Sequence, residues 1–316
     1  MTKWKKAVII AAACVLLGVA IAGVIIGVVN YNKNNMNFVI EDTLPVGNGK
    51  KAKVVLLAGQ SNAAGCSISD YLKKNVSAEK FAEYETGYDN VYINYVSSDD
   101  NLSNGFVKTT THQGHNTSFF GPEVGIAEKL HKEHPDELFF IIKFAWGATD
   151  LFSQWLSPSS DGATGYLYHN FIRYVKKNME YLKSKGYDAE IEGLCWMQGE
   201  SDSFSVQTAT DYESNLNNFI GDVRSDLKKY AAADGIGFVD AYIAANPSYW
   251  VYYEFVNKSK QAVAEKSAYN TVIDTNAYGL VCNEEPEDTP DMAHYDSLSQ
   301  MKLGNLFAEY LDRFLE

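Results

Sequence analysis

Cysteine is rare in this chain, with 4 among 316 residues, and no two of them form a C-x-x-C pair. That excludes a disulfide-stapled scaffold and a thiolate metal site of the usual spacing. Proline is scarce too, at 7, and there is no low-complexity tract, which excludes a disordered or collagen-like chain. Positive charge is short: 27 Lys and Arg stand against 40 Asp and Glu, for a net charge of −13. Residues 1–40 hold four Lys and no acid, so the rest of the chain carries −17. A body of that sign lacks the basic face that nucleic acid requires, and anionic lipid repels it. Neutral partners suit it best. Apolar residues are plentiful at 46%, enough to pack one large domain or two small ones.

One apolar run stands apart. Ala7 to Val29 is 23 residues long without charge or proline. As a helix it would extend roughly 35 Å, the thickness of a bilayer core. Lys3, Lys5 and Lys6 precede it, so the positive-inside rule leaves the N-terminus in the cytoplasm and exports the chain beyond residue 30. The alternative is a signal sequence cleaved after Ala20-Ile21-Ala22, which would release a secreted protein. Continuation of the run to Val29 favours an uncleaved anchor. Cys14 lies in mid-run, which argues against lipidation. Residues 1–30 therefore read as a membrane anchor or signal sequence. Residues 31–50, rich in Asn, Lys and Gly, read as a tether, and residues 51–316 as the folded domain. Within that domain Cys66, Cys195 and Cys282 allow at most one disulfide, and Cys195 sits in an apolar run as a small buried hydrophobe.

The domain alternates strand and helix patterns. Continuous apolar runs of strand length occur at 53–58, 138–145, 191–197, 236–243 and 271–274. Between them lie helical periodicities at 121–133, 166–185, 212–230 and 252–268, and a last helix at 297–314. Strands apolar on both faces, alternating with helices, imply a parallel sheet covered on both sides, a three-layer α/β domain. Ligands of such sheets sit beyond the carboxyl ends of the strands.

Unusual polar groups stand after the strands. Gly59-Gln60-Ser61-Asn62 comes after the first, Trp146-Gly147-Ala148-Thr149 after the second, and Gln198-Gly199-Glu200-Ser201-Asp202 after the third. Asp291-Met292-Ala293-His294 lies near the C-terminus. Taken alone, Ser61 reads as a helix N-cap and Gly147 as a turn. Together they supply a serine, a base to take its proton and a carboxylate to orient the base. Asp291 and His294, three apart, can face the same way on one turn. The bland reading of that segment is a solvated acidic loop, since Glu284, Glu285, Glu287 and Asp288 crowd there without calcium-loop spacing.

These blocks, with Gly121-Pro122-Glu123 and Trp196-Met197 included, occur in an order that resembles the sialate O-acetylesterase and carbohydrate acetylesterase branch of the SGNH hydrolases. The resemblance covers residues 53–312. It implies a flavodoxin-like sheet and serine ester hydrolysis without metal or cofactor, acting on acetylated carbohydrate through an acetyl-enzyme. It implies Ser61 as nucleophile, His294 as base and Asp291 as its orienting carboxylate. It implies an oxyanion hole made of the Ser61 and Gly147 N–H groups and the Gln198 side chain. Two positions depart from the branch: Ala148 stands where a second glycine is usual, and Cys66 where a larger polar residue is. An SGNH lipase or thioesterase, and a non-catalytic surface glycan-binding protein on the same fold, are the competing readings. The Gly-x-Ser-x-Gly elbow of α/β-hydrolases is broken by Ala63.

Among other residues, Trp146, Trp155 and Glu200 are the candidate substrate contacts, and the segment 249–253 adds further rings. His112 and His115 lie in a polar loop that can reach the cleft. Glu200 and Asp202 are only two apart on one loop, which suits bracing of Gln198 better than a glycosidase acid pair.

Overall fold

The computed structural model describes residues 35–315. From residue 39 onward the chain forms one compact unit, the folded domain. The run Ala7–Val29, with Ala22, lies outside the described residues. Among the described residues no helix is long and apolar enough to cross a membrane. The expected tether is shorter than residues 31–50, because residues from 39 onward belong to the domain. Leu44 is buried, Gly47 N–H donates to Lys185 O and Gly49 N–H to Gly186 O. Paired backbone and a buried leucine make this stretch part of the packed body.

In chain order the elements are β1 (Lys51–Gly59), α1 (Ser61–Ala64), β2 (Ser67–Ile68), α2 (Ser69–Asn75), α3 (Ala78–Thr86) and β3 (Val91–Val96). Then come β4 (Val107–Lys108), β5 (Phe119–Phe120), α4 (Glu123–Glu133), β6 (Phe139–Ala145), α5 (Tyr166–Ser184) and β7 (Asp188–Met197). The chain finishes with α6 (Val206–Leu227), β8 (Gly237–Ala241), α7 (Tyr253–Ala264), β9 (Asn270–Ile273) and α8 (Ser297–Leu311). The main sheet has the order β4-β3-β6-β1-β7-β8-β9, and β2 and β5 form a separate antiparallel pair. All main-sheet neighbours are parallel except the edge strand β4. In the flavodoxin-like order the second strand pairs with the first. Here β3 pairs with β6, and β6 with β1, so the sheet is three-layered and mostly parallel but departs from that order.

Burial explains the centre. Val54 to Ala58 and Phe139 to Phe144 are wholly inaccessible, because helices cover both faces of the sheet. Helices α4 and α8 pack on one face, and α5, α6 and α7 on the other. Beneath α2, α3 and α4, Leu72, Phe81, Tyr84, Phe120, Val124 and Met301 close a satellite core. Helix α6 starts at 206, six residues before its apolar periodicity, because Ser205 caps it by accepting from Thr208 N–H.

Candidate active site

The carboxyl ends of β1, β6 and β7 converge because their registers end together: Gly59 pairs with Ala145 on one side and Met197 on the other. A Cβ at Gly59, whose φ is +139°, would lie 2.0 Å from Met197 O. Only glycine lets the two strand ends close and the chain turn at once into α1. That turn makes Ser61 the first residue of α1, half-buried at the floor of a cavity of about 590 Å³. Gly147 faces it across the floor, where a Cβ would stand 3.7 Å from that of Ser61. Neither the Ser61 nor the Gly147 backbone N–H has an acceptor among the described residues. Ala148 holds a φ of +55°, the left-handed conformation a glycine would adopt freely.

Asp291 and His294 line the same cavity. His294 Nδ1 lies 2.6 Å from Asp291 Oδ2, and Asp291 Oδ1 accepts from Ala293 N–H. Burial opposes the Asp291 charge, but those two hydrogen bonds outweigh it and hold the carboxyl below its ordinary range. Burial also opposes charging of His294; its hydrogen bond to Asp291 and the neighbouring Cys66 side chain outweigh that and push its pKa up to about 10. With Nδ1 taken by Asp291, Nε2 is the nitrogen left on the ring. The Ser61 hydroxyl makes no hydrogen bond among the described residues, while Cys66 lines the cavity with His294.

The structure places three expected site residues elsewhere. Gln198 is fully buried and does not line the cavity. Its Nε2 donates to Thr149 O at 3.0 Å, Asp202 Oδ2 at 2.6 Å and Gln60 Oε1 at 3.3 Å, and its Oε1 accepts from Tyr212. No donor remains for an oxyanion. Trp155 is likewise fully buried, edge-on to Trp196 at 5.1 Å, with Nε1 donating to Thr149 Oγ1. It props the loop after β6 from behind and does not line the cavity. Glu200 is buried and absent from the cavity wall; its Oε1 accepts from Asn62 Nδ2 at 2.8 Å. Asp202 joins the two loops by accepting from Leu151 and Phe152 N–H as well as Gln198. Trp146 does line the cavity. So do His115 and Trp250, whereas His112 turns away to Thr117 O and Glu85.

Four residues outside the expected set hold the site together. Gln60 lines the cavity although only 2% exposed. Its Oε1 is fixed by Gly199 N–H, Ser201 N–H and Gln198, while its Nε2 has no partner among the described residues. The end of the amide facing the cavity is therefore a free donor. Asn62 receives Tyr295 N–H on Oδ1 and donates to Glu200, tying α1 to the segment that carries His294. Lys143, fully buried in β6, bonds Ala64 O, Gln113 O and Glu123 Oε2, all at 2.8 Å, and so fixes the end of α1. The adjacency of Gln60 to Ser61 was the available signal for the first. The ion pair had none, since Glu123 and Lys143 lie on separate elements. Cys66, Cys195 and Cys282 are all free thiols. Among the described residues no cluster of His, Cys, Asp or Glu could hold a metal ion.

A larger groove of about 730 Å³ lies against α3 and α4, lined by surface Lys and Glu side chains and containing neither Ser nor Cys. The cleft over Ser61 is where the serine hydroxyl, the His294–Asp291 pair and the free N–H donors meet.

Known proteins share this fold. Residues 51–313 match a family described as carbohydrate esterase, sialic acid-specific acetylesterase. A protein of Arabidopsis thaliana, described as a probable carbohydrate esterase, is 34% identical over 79 residues, which span 23% of this chain and 29% of that protein. The crystal structure of an Arabidopsis thaliana protein superposes with a TM-score of 0.61 at 19% identity, covering 83% of this chain and 98% of that one. The structure of NanS superposes equally, at 0.61 and 15% identity, over 84% and 98%. XAC1771, a carbohydrate acetylesterase from Xanthomonas citri, gives 0.55 at 14%, over 83% of this chain and 56% of that one. Because the family match runs nearly the whole length of the domain, the chain belongs to the carbohydrate esterase family described as sialic acid-specific acetylesterases.

Proposed function

We propose that the protein is a serine esterase that removes O-acetyl groups from carbohydrate hydroxyls through an acetyl-enzyme. The observation that carries this reading is the convergence on one cavity of Ser61, from the turn after β1, with Asp291 and His294, from the segment leading into α8. His294 Nε2 takes the Ser61 hydroxyl proton as Oγ attacks the acetyl carbonyl, and Asp291 steadies the imidazolium that forms. The ring must first close on Ser61, a tightening that substrate binding commonly brings about. The tetrahedral oxyanion is held by the Ser61 and Gly147 N–H groups. Gln60 Nε2 replaces Gln198 as the third donor. Collapse expels the sugar oxygen, which takes the proton from His294. Water, deprotonated by the same ring, then releases acetate and frees Ser61.

The competing assignments of the third donor separate cleanly. Gln60→Ala is expected to lower kcat by about 10²–10³-fold with KM little changed, the cost of removing one oxyanion donor. If a steady-state comparison on an aryl acetate shows Gln60→Ala active at the wild-type rate, the assignment fails.

The base sets the pH profile. His294 must be neutral to accept a proton, and its raised pKa puts the acid limb of kcat/KM in the alkaline range. Part of that elevation comes from the Cys66 thiol, so Cys66→Ala should move the limb to lower pH. A profile unmoved by the substitution would show that Cys66 does not tune the base. The chain is further proposed to work outside the cytoplasm, exported behind the apolar run Ala7–Val29, as an anchored or a secreted domain.

A further inference from the structure

Among the described residues that line the cavity over Ser61, none is Lys or Arg, and the one carboxylate is Asp291. Positive charge on His294 is matched by that carboxylate, 2.6 Å from its ring. Two lysines pack behind the cavity walls, and both are spent. Lys143 is fully buried on Glu123 and two carbonyls. Lys260 is buried with its Nζ 2.5 Å from Asp240. The segments that carry lining residues add negative charge. Asp99 and Asp100 are exposed just beyond Ser98, and Glu284, Glu287 and Asp288 are exposed on the stretch leading into Asp291.

The remaining wall is aromatic. Trp146, Phe119, Phe204 and Trp250 line it. Phe204 is 58% exposed and packs 5.5 Å from Trp250, centroid to centroid, and the exposed Tyr249 packs 5.9 Å from Trp250 on the outside. Such a surface stacks against the C–H faces of a pyranose, while Ser97, Ser98 and Ser201 offer hydroxyls to its oxygens. A ligand carboxylate finds no Lys or Arg among the described lining residues, only the imidazole of His115 at the wall beside the donors over Ser61. It would need a charged donor or several aimed N–H groups, and would stand in the field of an acidic rim.

We propose that this cleft takes O-acetyl groups from uncharged sugars and discriminates against the carboxylate of sialic acid, although the family description names that sugar. This rests on the esterase reading above and adds the substrate class to it. The matched test is 9-O-acetyl-N-acetylneuraminic acid against its methyl ester, two substrates that differ only in the carboxylate charge, with acetate release measured on the full-length protein. A 4-nitrophenyl acetate assay runs alongside, and its failure would count against the esterase reading and not against the substrate class. The methyl ester is expected to show a kcat/KM about ten- to hundredfold above the free acid, with the gap narrowing as salt is raised. Phe204→Arg, which places a cation at the exposed edge of the wall, should raise the free acid relative to the ester. A free acid hydrolysed as well as its ester, at low salt and in the unsubstituted protein, overturns the proposal.

Discussion

Ser61→Ala should all but abolish acetate release, lowering kcat by about 10⁴- to 10⁶-fold, with a residue of catalysis left to the N–H donors and to binding. The arrangement sets the size. Among the described residues, Ser61 has the only hydroxyl at the meeting point of the free Ser61 and Gly147 amides and the His294–Asp291 pair, and nothing behind it can take its place as an alkoxide. Among the described residues Cys66 is a second nucleophile on the cavity wall that carries His294. Two variants therefore belong in the same experiment. Ser61→Ala inactive and Cys66→Ala active assigns the nucleophile to the serine; the reverse pattern assigns it to the thiol. Folding is checked by thermal melting, because Ser61 caps nothing and its removal leaves no buried polar group unpaired. A glycan-binding protein without catalysis would show no difference between the unsubstituted chain and Ser61→Ala.

Lys143→Met should destabilise the domain by about 3–5 kcal/mol, because it leaves the Glu123 carboxylate buried without its cation. At this chain length the loss corresponds to a melting temperature lower by roughly 10 °C. Burial raises the Glu123 pKa and lowers that of Lys143, and each group opposes that shift in the other from 2.8 Å away. The same lysine holds Ala64 O at the end of α1, so activity should fall together with stability. The double variant Lys143→Met with Glu123→Gln removes both charges and should recover most of the lost stability. Urea or thermal melts of the three proteins check this. Equal stability of the single and double variants would mean that the pair is not the source of the loss.

The sequence made the covered parallel sheet legible because its strands are apolar on both faces. The runs at 53–58, 138–145 and 191–197 lie inside β1, β6 and β7 or within a residue of them. Residues 66–120 were opaque for the same reason in reverse. β3 reads Val-Tyr-Ile-Asn-Tyr-Val, and its central Asn94 is buried because Asn178 of α5 accepts its amide at 2.6 Å and Ser103 donates to its Oδ1 at 2.7 Å. No local pattern announces a partner so far along the chain. With β3 unread, the sheet order could not be derived, and its pairing with β6 appears only in the fold.

The site was legible in its polar blocks and misread in their division of labour. Gln198, Trp155 and Glu200 stand at the right strand ends but point inward, where Asp202, Thr149 and Asn62 engage them. Sequence position fixes which strand end a residue stands beyond, whereas the facing of its side chain depends on contacts across loops. Gln60 illustrates the converse: it precedes the serine as an ordinary turn residue, and three donors on its Oε1 turn its amide nitrogen toward the cavity.

The mechanism turns on a covalent acetyl group carried by Ser61. Mixing the protein with 4-nitrophenyl acetate, quenching in acid within the first turnovers and mapping the peptides by mass spectrometry would reveal it. The expected result is one acetyl group on the peptide containing Ser61, absent from Ser61→Ala and discharged on return to alkaline pH. Turnover with no acetylated peptide, or with the acetyl group on Cys66, would contradict the mechanism.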